Sequence, residues 1–341
     1  MDALWSLIVE DKREAAQAAV AAAFGKQAIS TLEPLTGGIS AKTYRIEVGR
    51  RAYALRIEGA RGGLMDLERS YACMTAAAAA GLAPQVRHAD PVQRVAITDF
   101  HAPRPLAEFP GGAAALAETL GRMVARLQAI PEFPAYGSYP VLIGRMFDFV
   151  RRSQLFQQGL LDGHAETFSR LAGVYPWNED EPVASHNDIN PRNLIFDGSD
   201  LWLIDWETAF RNDRFVDLAI LTTETAASPS LEDVLMKGWL GRPPEQRERD
   251  RLAVMKPITR LYYVGLLLAP IAAAPLGEPV GDLTAPTVEA FTRAVQDGRL
   301  KIGTVELSIA FAKMLLEGFV GLAEAPETAA AMERLASDAR E

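Results

Sequence analysis

Alternating and helix-periodic apolar positions divide this chain into a strand-rich beginning and a largely helical remainder. The segment TYRIEV, residues 43–48, alternates apolar and polar side chains, and AYALRI, residues 52–57, does the same after a turn at 49–51. Alternation with a period of two is typical of strands that bury one face. The two segments therefore predict a hairpin in which Arg56 points away from the apolar face.

Helical spacing governs the segments on either side of this hairpin. Residues 12–24 form an alanine-rich stretch that ends at Gly25, and residues 66–80 carry an apolar stripe before Gly81. Glycine directly after a periodic stretch is a common helix stop. We therefore expect one helix before the hairpin and a second one after it.

A segment rich in proline and glycine, residues 101–112, marks the change from strands to helices. The strand pattern RVAITDF, residues 94–100, leads into it, and helical spacing dominates beyond it. The predicted fold class is α+β, with a small antiparallel-sheet lobe containing one helix over residues 1–100. We expect residues 101–112 to be the hinge and residues 113–341 to be a larger, mainly helical lobe.

A second hairpin pattern interrupts the helical part. NLIF, residues 193–196, and LWLI, residues 201–204, are short apolar strands separated by the sequence DGSD. Asp and Gly in this arrangement are ordinary turn residues, so we assign Asp197 and Asp200 to turn chemistry.

Composition and charge narrow the class of protein. The chain has 341 residues, 49% of them apolar and 23% charged, which are globular proportions. Its length predicts one large two-lobed unit or two domains. The formal net charge of −9 argues against nucleic acid as a partner, because there is no basic surplus to neutralise phosphates. An acidic balance is compatible with a cationic ligand, but it more often serves solubility alone.

The cysteine content and the apolar runs predict a soluble cytoplasmic protein. Cys73 is the single cysteine, so no internal disulfide can form. The N-terminal segment carries acidic residues where a signal peptide would carry basic ones. The longest uncharged run, residues 261–277, is too short to span a membrane and contains Pro270 and Pro275, so we interpret it as a buried core helix.

Polar residues at a characteristic spacing surround the second hairpin. His186, Asp188 and Asn193 form the pattern His-x-Asp-x-x-x-x-Asn, and Asp205 follows the second strand. Phosphoryl transfer from ATP needs a carboxylate to orient the acceptor hydroxyl, and oxygen ligands from a carboxylate and an amide to hold Mg²⁺. The spacing is that of a kinase catalytic loop, in which the Asp is the base and the Asn binds magnesium.

The segments HNDINPRN, LIDWE and DLAIL resemble motifs of the aminoglycoside phosphotransferase and choline kinase family, which has the protein-kinase-like fold. LIDWE is more similar to the choline/ethanolamine kinase branch than to the DFG of protein kinases. The likeness extends from about residue 32 to about residue 225. It implies an ATP- and Mg²⁺-dependent enzyme with a small-molecule acceptor.

The resemblance also implies a role for each matched residue. Asp188 would be the catalytic base, and Asn193 and Asp205 would be the magnesium ligands. Arg56 would replace the usual phosphate-binding Lys as a rigid fork, with Glu68 as its ion-pair partner. The remaining implied positions are the phosphate loop, Gly37, Gly38 and Ser40; the adenine hinge, Asp99, Phe100 and His101; and the supports of the catalytic loop, His186 and Asp217.

Trp206 and Glu207 directly follow Asp205 and allow two interpretations. They could lie beside the acceptor, where an aromatic face and a carboxylate suit a cationic amine. They could equally be a packed aromatic residue and a structural or solvated acid.

The function predicted from these observations is a small-molecule kinase of the choline/ethanolamine type. An aminoglycoside or amino-sugar phosphotransferase is the alternative with the same chemistry, and a nucleotide-binding pseudokinase is the alternative of another class. A protein kinase is disfavoured, because the chain has neither DFG nor an APE-ended activation segment. The identity of the acceptor and the oligomeric state cannot be inferred from these motifs.

Overall fold

The structure is a computed structural model, and it contains two compact units that each combine distant segments of the chain. It describes residues 2–35, 41–59, 66–178, 180–225, 228–273 and 277–338. Unit 1 consists of Met1–Ala135, Val183–Arg211 and Glu224–Gly241, and unit 2 consists of Tyr136–Pro182, Asn212–Thr223 and Arg242–Glu341. The predicted hinge at 101–112 and the lobe boundaries beside it stay a prediction.

A five-stranded antiparallel sheet forms the N-terminal part of the fold. The strands of this sheet are β1 (Ile29–Leu35), β2 (Ala41–Val48), β3 (Arg51–Glu58), β4 (Val86–Asp90) and β5 (Val95–Asp99). Four short strands occur later in the described chain: β6 (Val183–Ser185), β7 (Leu194–Phe196), β8 (Leu201–Leu203) and β9 (Phe210–Asn212). The first five make one sheet in the order β1-β2-β3-β5-β4, while β6 pairs with β9 and β7 with β8.

Helices make up most of the remaining chain. They are α1 (Asp2–Trp5), α2 (Glu10–Phe24), α3 (Leu67–Ala79), α4 (Gly112–Gln128), α5 (Tyr139–Arg152), α6 (Asp162–Val174), α7 (Val216–Glu224), α8 (Pro229–Leu240), α9 (Gln246–Ala272), α10 (Val288–Gln296), α11 (Val305–Ala323) and α12 (Pro326–Asp338). The predicted α+β class, with an antiparallel sheet followed by a mainly helical part, is confirmed.

The β2–β3 hairpin places Arg56 as its alternating pattern predicts. Tyr44 lies opposite Leu55, and both are buried in the core of the sheet. Thr43 lies opposite Arg56 on the other face. Strand β3 begins at Arg51, so the turn is one residue shorter than predicted.

Helix α3 turns one face toward the sheet and the other toward solvent. The Asp66 side chain accepts a hydrogen bond of 3.0 Å from the Arg69 N–H and so caps the first turn. Leu67 and Tyr71, four residues apart, are buried against Ala96 of β5. Glu68 is exposed, because one residue beyond Leu67 the helix has rotated by about 100°.

Helices α4 and α8 of unit 1 approach each other at two glycines. A Cβ atom added at Gly121 would lie 2.1 Å from the carbonyl oxygen of Leu235, and one added at Gly238 would lie 2.4 Å from that of Glu118. Real Cβ atoms essentially never come this close to backbone. The crossing therefore requires both glycines.

Helix α9 forms the core of unit 2. Arg251 on this helix is buried and donates to Asp213 at 3.1 Å and to Asp180 at 2.6 Å. Within the described residues, α9 is the one helix long and apolar enough to cross a membrane, yet 72% of its most apolar window is buried in protein. It ends at Ala272, so most of the predicted core helix is present.

Candidate active site

The predicted catalytic loop folds back on its own central carboxylate. Asp188 follows β6, and its two carboxylate oxygens accept hydrogen bonds from the amide groups of Asn190 at 2.7 Å and Asn193 at 2.8 Å. The Asn193 amide also donates to the Asp188 carbonyl oxygen at 2.9 Å. The spacing of five residues thus brings Asp188 and Asn193 into direct contact through the short helix Pro191–Asn193.

Asn187 gives the loop an unusual backbone. Its φ of +61° lies in the left-handed region, which Asn tolerates better than most other residues. Its buried side chain donates to the Thr208 carbonyl oxygen at 3.0 Å. The sequence motifs assigned no role to Asn187. The position of an Asn between the two motif residues His186 and Asp188 could have indicated a left-handed turn.

His186 ties the catalytic loop to the segment that carries Asp205. Its Nε2 donates to the carbonyl oxygen of Ile204 at 2.9 Å. The imidazole is fully buried, and its ring centroid lies 4.6 Å from that of Trp206. The loop and the end of β8 are therefore held at a defined separation.

Asp205 lies directly beyond β8 and contacts Arg56. Its φ is +67°, a second left-handed residue in the site. The Arg56 Nη2 donates to Asp205 Oδ1 at 3.0 Å, and the Nε donates to Glu58 Oε1 at 2.5 Å. Glu207 Oε2 lies 3.9 Å from the same Nη2. One guanidinium thus faces three carboxylates.

The charges around Arg56 keep it firmly protonated. Burial acts to lower the pKa of Arg56, but the negative charges of Asp205, Glu58 and Glu207 outweigh burial and raise it above its ordinary value. The Arg56 guanidinium is therefore a permanent cation, and it would keep its charge if one of its carboxylate partners were replaced.

Glu68 is not brought to Arg56. Its side chain is exposed on α3, where it lines a surface depression with Tyr71 and Thr75. Glu58 takes the expected place beside Arg56, because two residues along a strand return to the same face. The described part of α3 instead supplies Arg69, which donates to the Glu207 carbonyl oxygen at 2.9 Å.

Trp206 has the geometry of a packed aromatic side chain. It is 4% exposed and lies between His186 and Phe133, with a ring-centroid distance of 6.0 Å to Phe133. A ring buried in this way offers no open face to a ligand. Glu207 is half-buried beside Arg56, so its carboxylate belongs to the charged group of the site.

All three residues of the predicted adenine hinge are engaged in contacts within the protein. Asp99 accepts two hydrogen bonds of 2.7 Å from Arg87. The Phe100 N–H donates to the Ala52 carbonyl oxygen at 3.2 Å. His101 Nδ1 lies 2.9 Å from Asp197 Oδ2.

Asp197 does more than form the turn of the β7–β8 hairpin. Besides bonding within the turn, its carboxylate accepts from the Trp202 indole at 2.8 Å and contacts His101, whose ring stacks on Trp202 at 4.2 Å. The assignment to turn chemistry alone was therefore incomplete. The partner at position 101 is 96 residues away, and nothing in the local pattern indicates it.

The Asp197 contacts predict a loss of stability in acid. Burial raises the pKa of Asp197, but hydrogen bonds from Asp200, Trp202 and Ser199 outweigh burial and bring it well below the ordinary value. A carboxyl whose pKa is lower in the folded state stabilises the fold above its unfolded pKa of about 3.9 and loses this contribution as the pH falls below it. We expect the melting temperature of Asp197→Asn to fall less steeply than that of the wild type between about pH 5 and pH 3. Parallel curves in a thermal melt series would contradict this.

Several predicted residues lie apart from this geometry. Gly37, Gly38 and Ser40 fall outside the described residues. Asp217 is fully buried in α7 of unit 2, and its role as a support of the catalytic loop stays a prediction. Among the residues that the structure describes, no group of three or more His, Cys, Asp or Glu side chains could hold a metal ion by itself.

The sequence matches a known protein family over most of its length. Residues 31–253 match the model of the APH family, described as the phosphotransferase enzyme family. A 42% identical match over 73 residues to an uncharacterized protein of Metamycoplasma hominis spans 20% of the chain and 15% of that protein.

Solved structures of low sequence identity share the fold. A choline/ethanolamine kinase family protein from Mesorhizobium loti is 20% identical, with a TM-score of 0.69 over 95% of this chain and 98% of that one. An ethanolamine kinase from Plasmodium vivax is 14% identical, with a TM-score of 0.66 over 96% and 90%. Spectinomycin phosphotransferase in complex with ADP and spectinomycin is 10% identical, with a TM-score of 0.54 over 86% and 93%.

The antiparallel sheet, the helical remainder and these neighbours define a kinase-like fold, as the motifs predicted. The family match covers well over half of the chain, and the chain belongs to the phosphotransferase enzyme family.

Proposed function

We propose that the protein is an ATP- and Mg²⁺-dependent kinase that transfers the γ-phosphoryl group to a hydroxyl of a small molecule. The observation that carries this proposal is the pair of contacts around the catalytic loop. Asp188 is held by Asn193 at 2.8 Å, and Asp205 is held by Arg56 at 3.0 Å within the same unit. The residues that we propose as base, metal ligands and phosphate-binding cation all belong to unit 1.

Asp188 is suited to receive the proton of the acceptor hydroxyl. Its half-buried carboxylate is oriented by two amide N–H donors, one on each oxygen. A fixed carboxylate can orient the hydroxyl and accept its proton as the bond to phosphorus forms.

The donor set of Asn193 and Asp205 fits a magnesium ion. The Asn193 amide nitrogen is used by Asp188, which leaves its amide oxygen as the atom for a metal. Mg²⁺ prefers hard oxygen ligands and is usually held by one or two carboxylates together with substrate phosphates. When bound, it would supply charge neutralisation at the phosphate oxygens.

Arg56 is suited to bind the phosphates of the nucleotide. A guanidinium matches phosphate oxygens in a bidentate way, and Arg56 carries its full charge in this site. In the present structure its Nη2 is occupied by Asp205. Nucleotide phosphates would compete with Asp205 for this group, and Asp205 would be one of the residues that hold the metal.

For the acceptor we propose an amino alcohol of the choline or ethanolamine type in the cytoplasm. The neighbours described as choline/ethanolamine and ethanolamine kinases, at TM-scores of 0.69 and 0.66, support this choice. The spectinomycin phosphotransferase, at a TM-score of 0.54, supports an aminoglycoside as the alternative. Trp206 is not part of the proposed acceptor pocket, since its ring is buried.

The proposed metal site is tested by Asp205→Ala. We expect wild-type protein to be stabilised by Mg–ADP and the variant to lose this stabilisation, because a main ligand of the metal is missing. A ligand present at a hundred times its dissociation constant adds about 2.7 kcal/mol, which a thermal melt detects easily. Asp200→Ala, a change of an exposed acid in the neighbouring turn, should keep the full stabilisation. Equal Mg–ADP shifts in both variants would contradict the assignment.

The reaction itself is tested by coupled detection of ADP release. The panel should contain choline, ethanolamine, aminoglycosides, sugars and other amino alcohols. We expect release with amino alcohols that depends on Mg²⁺. Release with aminoglycosides alone would support the alternative acceptor, and the absence of release with every compound would contradict the proposed activity.

A further inference from the structure

Glu58 is a buried carboxylate in the candidate site for which the sequence motifs provide no role. It is 3% exposed at the end of β3, and its Oε1 accepts from Arg56 Nε at 2.5 Å. Its Oε2 is buried and makes no hydrogen bond within the described residues. Burying an ionised carboxylate is costly unless a partner compensates the charge, and here Arg56 is that partner.

The guanidinium of Arg56 has two ends with different partners. Its Nε end is bound by Glu58 on the same strand, two residues further along. Its Nη2 end is bound by Asp205 and lies near Glu207. A metal held by Asp205 would compete with Arg56 for that carboxylate, whereas the contact with Glu58 involves no proposed metal ligand.

Helix α3 does not supply the carboxylate that would otherwise hold this cation. Its inner face presents Leu67 and the phenol of Tyr71, while Glu68 points outward. Burial raises the pKa of Tyr71, and the charge of Glu58 raises it further. The anion at the Nε end of Arg56 therefore comes from the sheet instead of the helix.

We infer that Glu58 is the positioning residue of Arg56, holding the Nε end so that the Nη groups remain aimed at the nucleotide phosphates. This inference rests on the proposed function, because it concerns the same nucleotide site. A strand residue is a firm anchor, since both side chains project from one rigid hairpin in fixed register. Arg56 is thereby anchored on the sheet independently of its contacts with Asp205 and Glu207.

The test compares Glu58→Gln with Glu68→Gln as the matched control. Both changes remove one carboxylate charge and keep the size of the side chain. We expect Glu58→Gln to raise the dissociation constant for Mg–ADP about tenfold, as the loss of one charge-assisted hydrogen bond would. Glu68→Gln should stay within about twofold of the wild type, as is usual for an exposed charge. Isothermal titration calorimetry measures these constants without any acceptor.

A kinetic readout separates positioning from simple stability. With an acceptor found in the ADP-release panel, Glu58→Gln should raise the KM for ATP more than it lowers kcat. The reason is that Arg56, which Glu58 positions, would contact the nucleotide already before phosphoryl transfer. Glu58→Asp keeps the charge but is one methylene shorter, so we expect a dissociation constant between those of the wild type and Glu58→Gln. Glu58→Asp also provides the test if Glu58→Gln does not fold.

Three outcomes overturn the inference. Wild-type Mg–ADP affinity in Glu58→Gln would do so even if its melting temperature fell, since the role would then be structural only. A wild-type affinity of Glu58→Asp for Mg–ADP would also overturn the inference. So would a loss of Mg–ADP affinity in Glu68→Gln as large as that in Glu58→Gln. A wild-type protein that does not bind Mg–ADP would instead overturn the proposed function, and this inference with it.

Discussion

Asp188→Asn is expected to lower kcat by about a hundred- to ten-thousand-fold, the usual contribution of a positioned general base. Asparagine has the same shape but cannot accept the proton of the acceptor hydroxyl. Mg–ATP binding should remain within about twofold, because Arg56 and Asp205 are unchanged and the Asn193 amide can still donate to the backbone carbonyl oxygen of position 188. The measurement is single-turnover transfer to the acceptor, with binding followed by calorimetry.

The control for this variant lies in the neighbouring hairpin. Asp200→Asn makes the same chemical change at an exposed position and should keep the wild-type kcat. In Asp188→Asn the new side chain can accept hydrogen bonds with only one oxygen, so either Asn190 or Asn193 loses a partner and a small fall in melting temperature is expected. A near wild-type rate in Asp188→Asn would show that Asp188 is not the base.

Gly121→Ala is expected to have the largest effect on stability, at least about 3 kcal/mol of unfolding free energy. The new methyl group would lie 2.1 Å from the Leu235 carbonyl oxygen and 2.7 Å from the Trp239 nitrogen, so helices α4 and α8 must move apart. Gly238→Ala should act in the same direction, since its methyl group would meet the Glu118 backbone at 2.4 Å. Urea unfolding measures the change.

Gly173→Ala is the matched control for the helix crossing. Gly173 lies in α6, and an added Cβ atom would have nothing within 4 Å. The substitution should therefore be neutral or stabilising by up to about 1 kcal/mol, because alanine loses less backbone entropy in a helix than glycine does. Wild-type stability in Gly121→Ala would show that α4 and α8 are not packed this closely in solution.

The sequence could predict the parts of the candidate site that depend on local order. Asp188 and Asn193 are five residues apart, and the connecting short helix brings them to 2.8 Å. The alternation of β3 was sufficient to place Arg56 off the apolar face. Such features follow from backbone periodicity, which is visible in a single segment.

The ion-pair partners of Arg56 in the structure differ from the one that the resemblance implied. The resemblance indicated Glu68, although the apolar stripe of α3 already ran through Leu67 and Tyr71 and left Glu68 off it. Glu58 lies one residue beyond the strand predicted at 52–57, and the motifs gave it no role. The burial of Glu58 could not be predicted from the sequence, because the exposure of a side chain depends on which elements pack over it.

By itself, the sequence determined the β2–β3 and β7–β8 hairpins, strand β5, helices α2 and α3, the catalytic-loop spacing and the family resemblance, because each is encoded in short-range pattern or motif. The tertiary structure alone decided which residues meet across long separations. Arg56 contacts Asp205 over 149 positions, and His101 contacts Asp197 over 96. The α4–α8 crossing likewise depends on Gly121 and Gly238 facing each other's backbone. Contacts of this kind arise from the packing of whole elements, which no local pattern specifies.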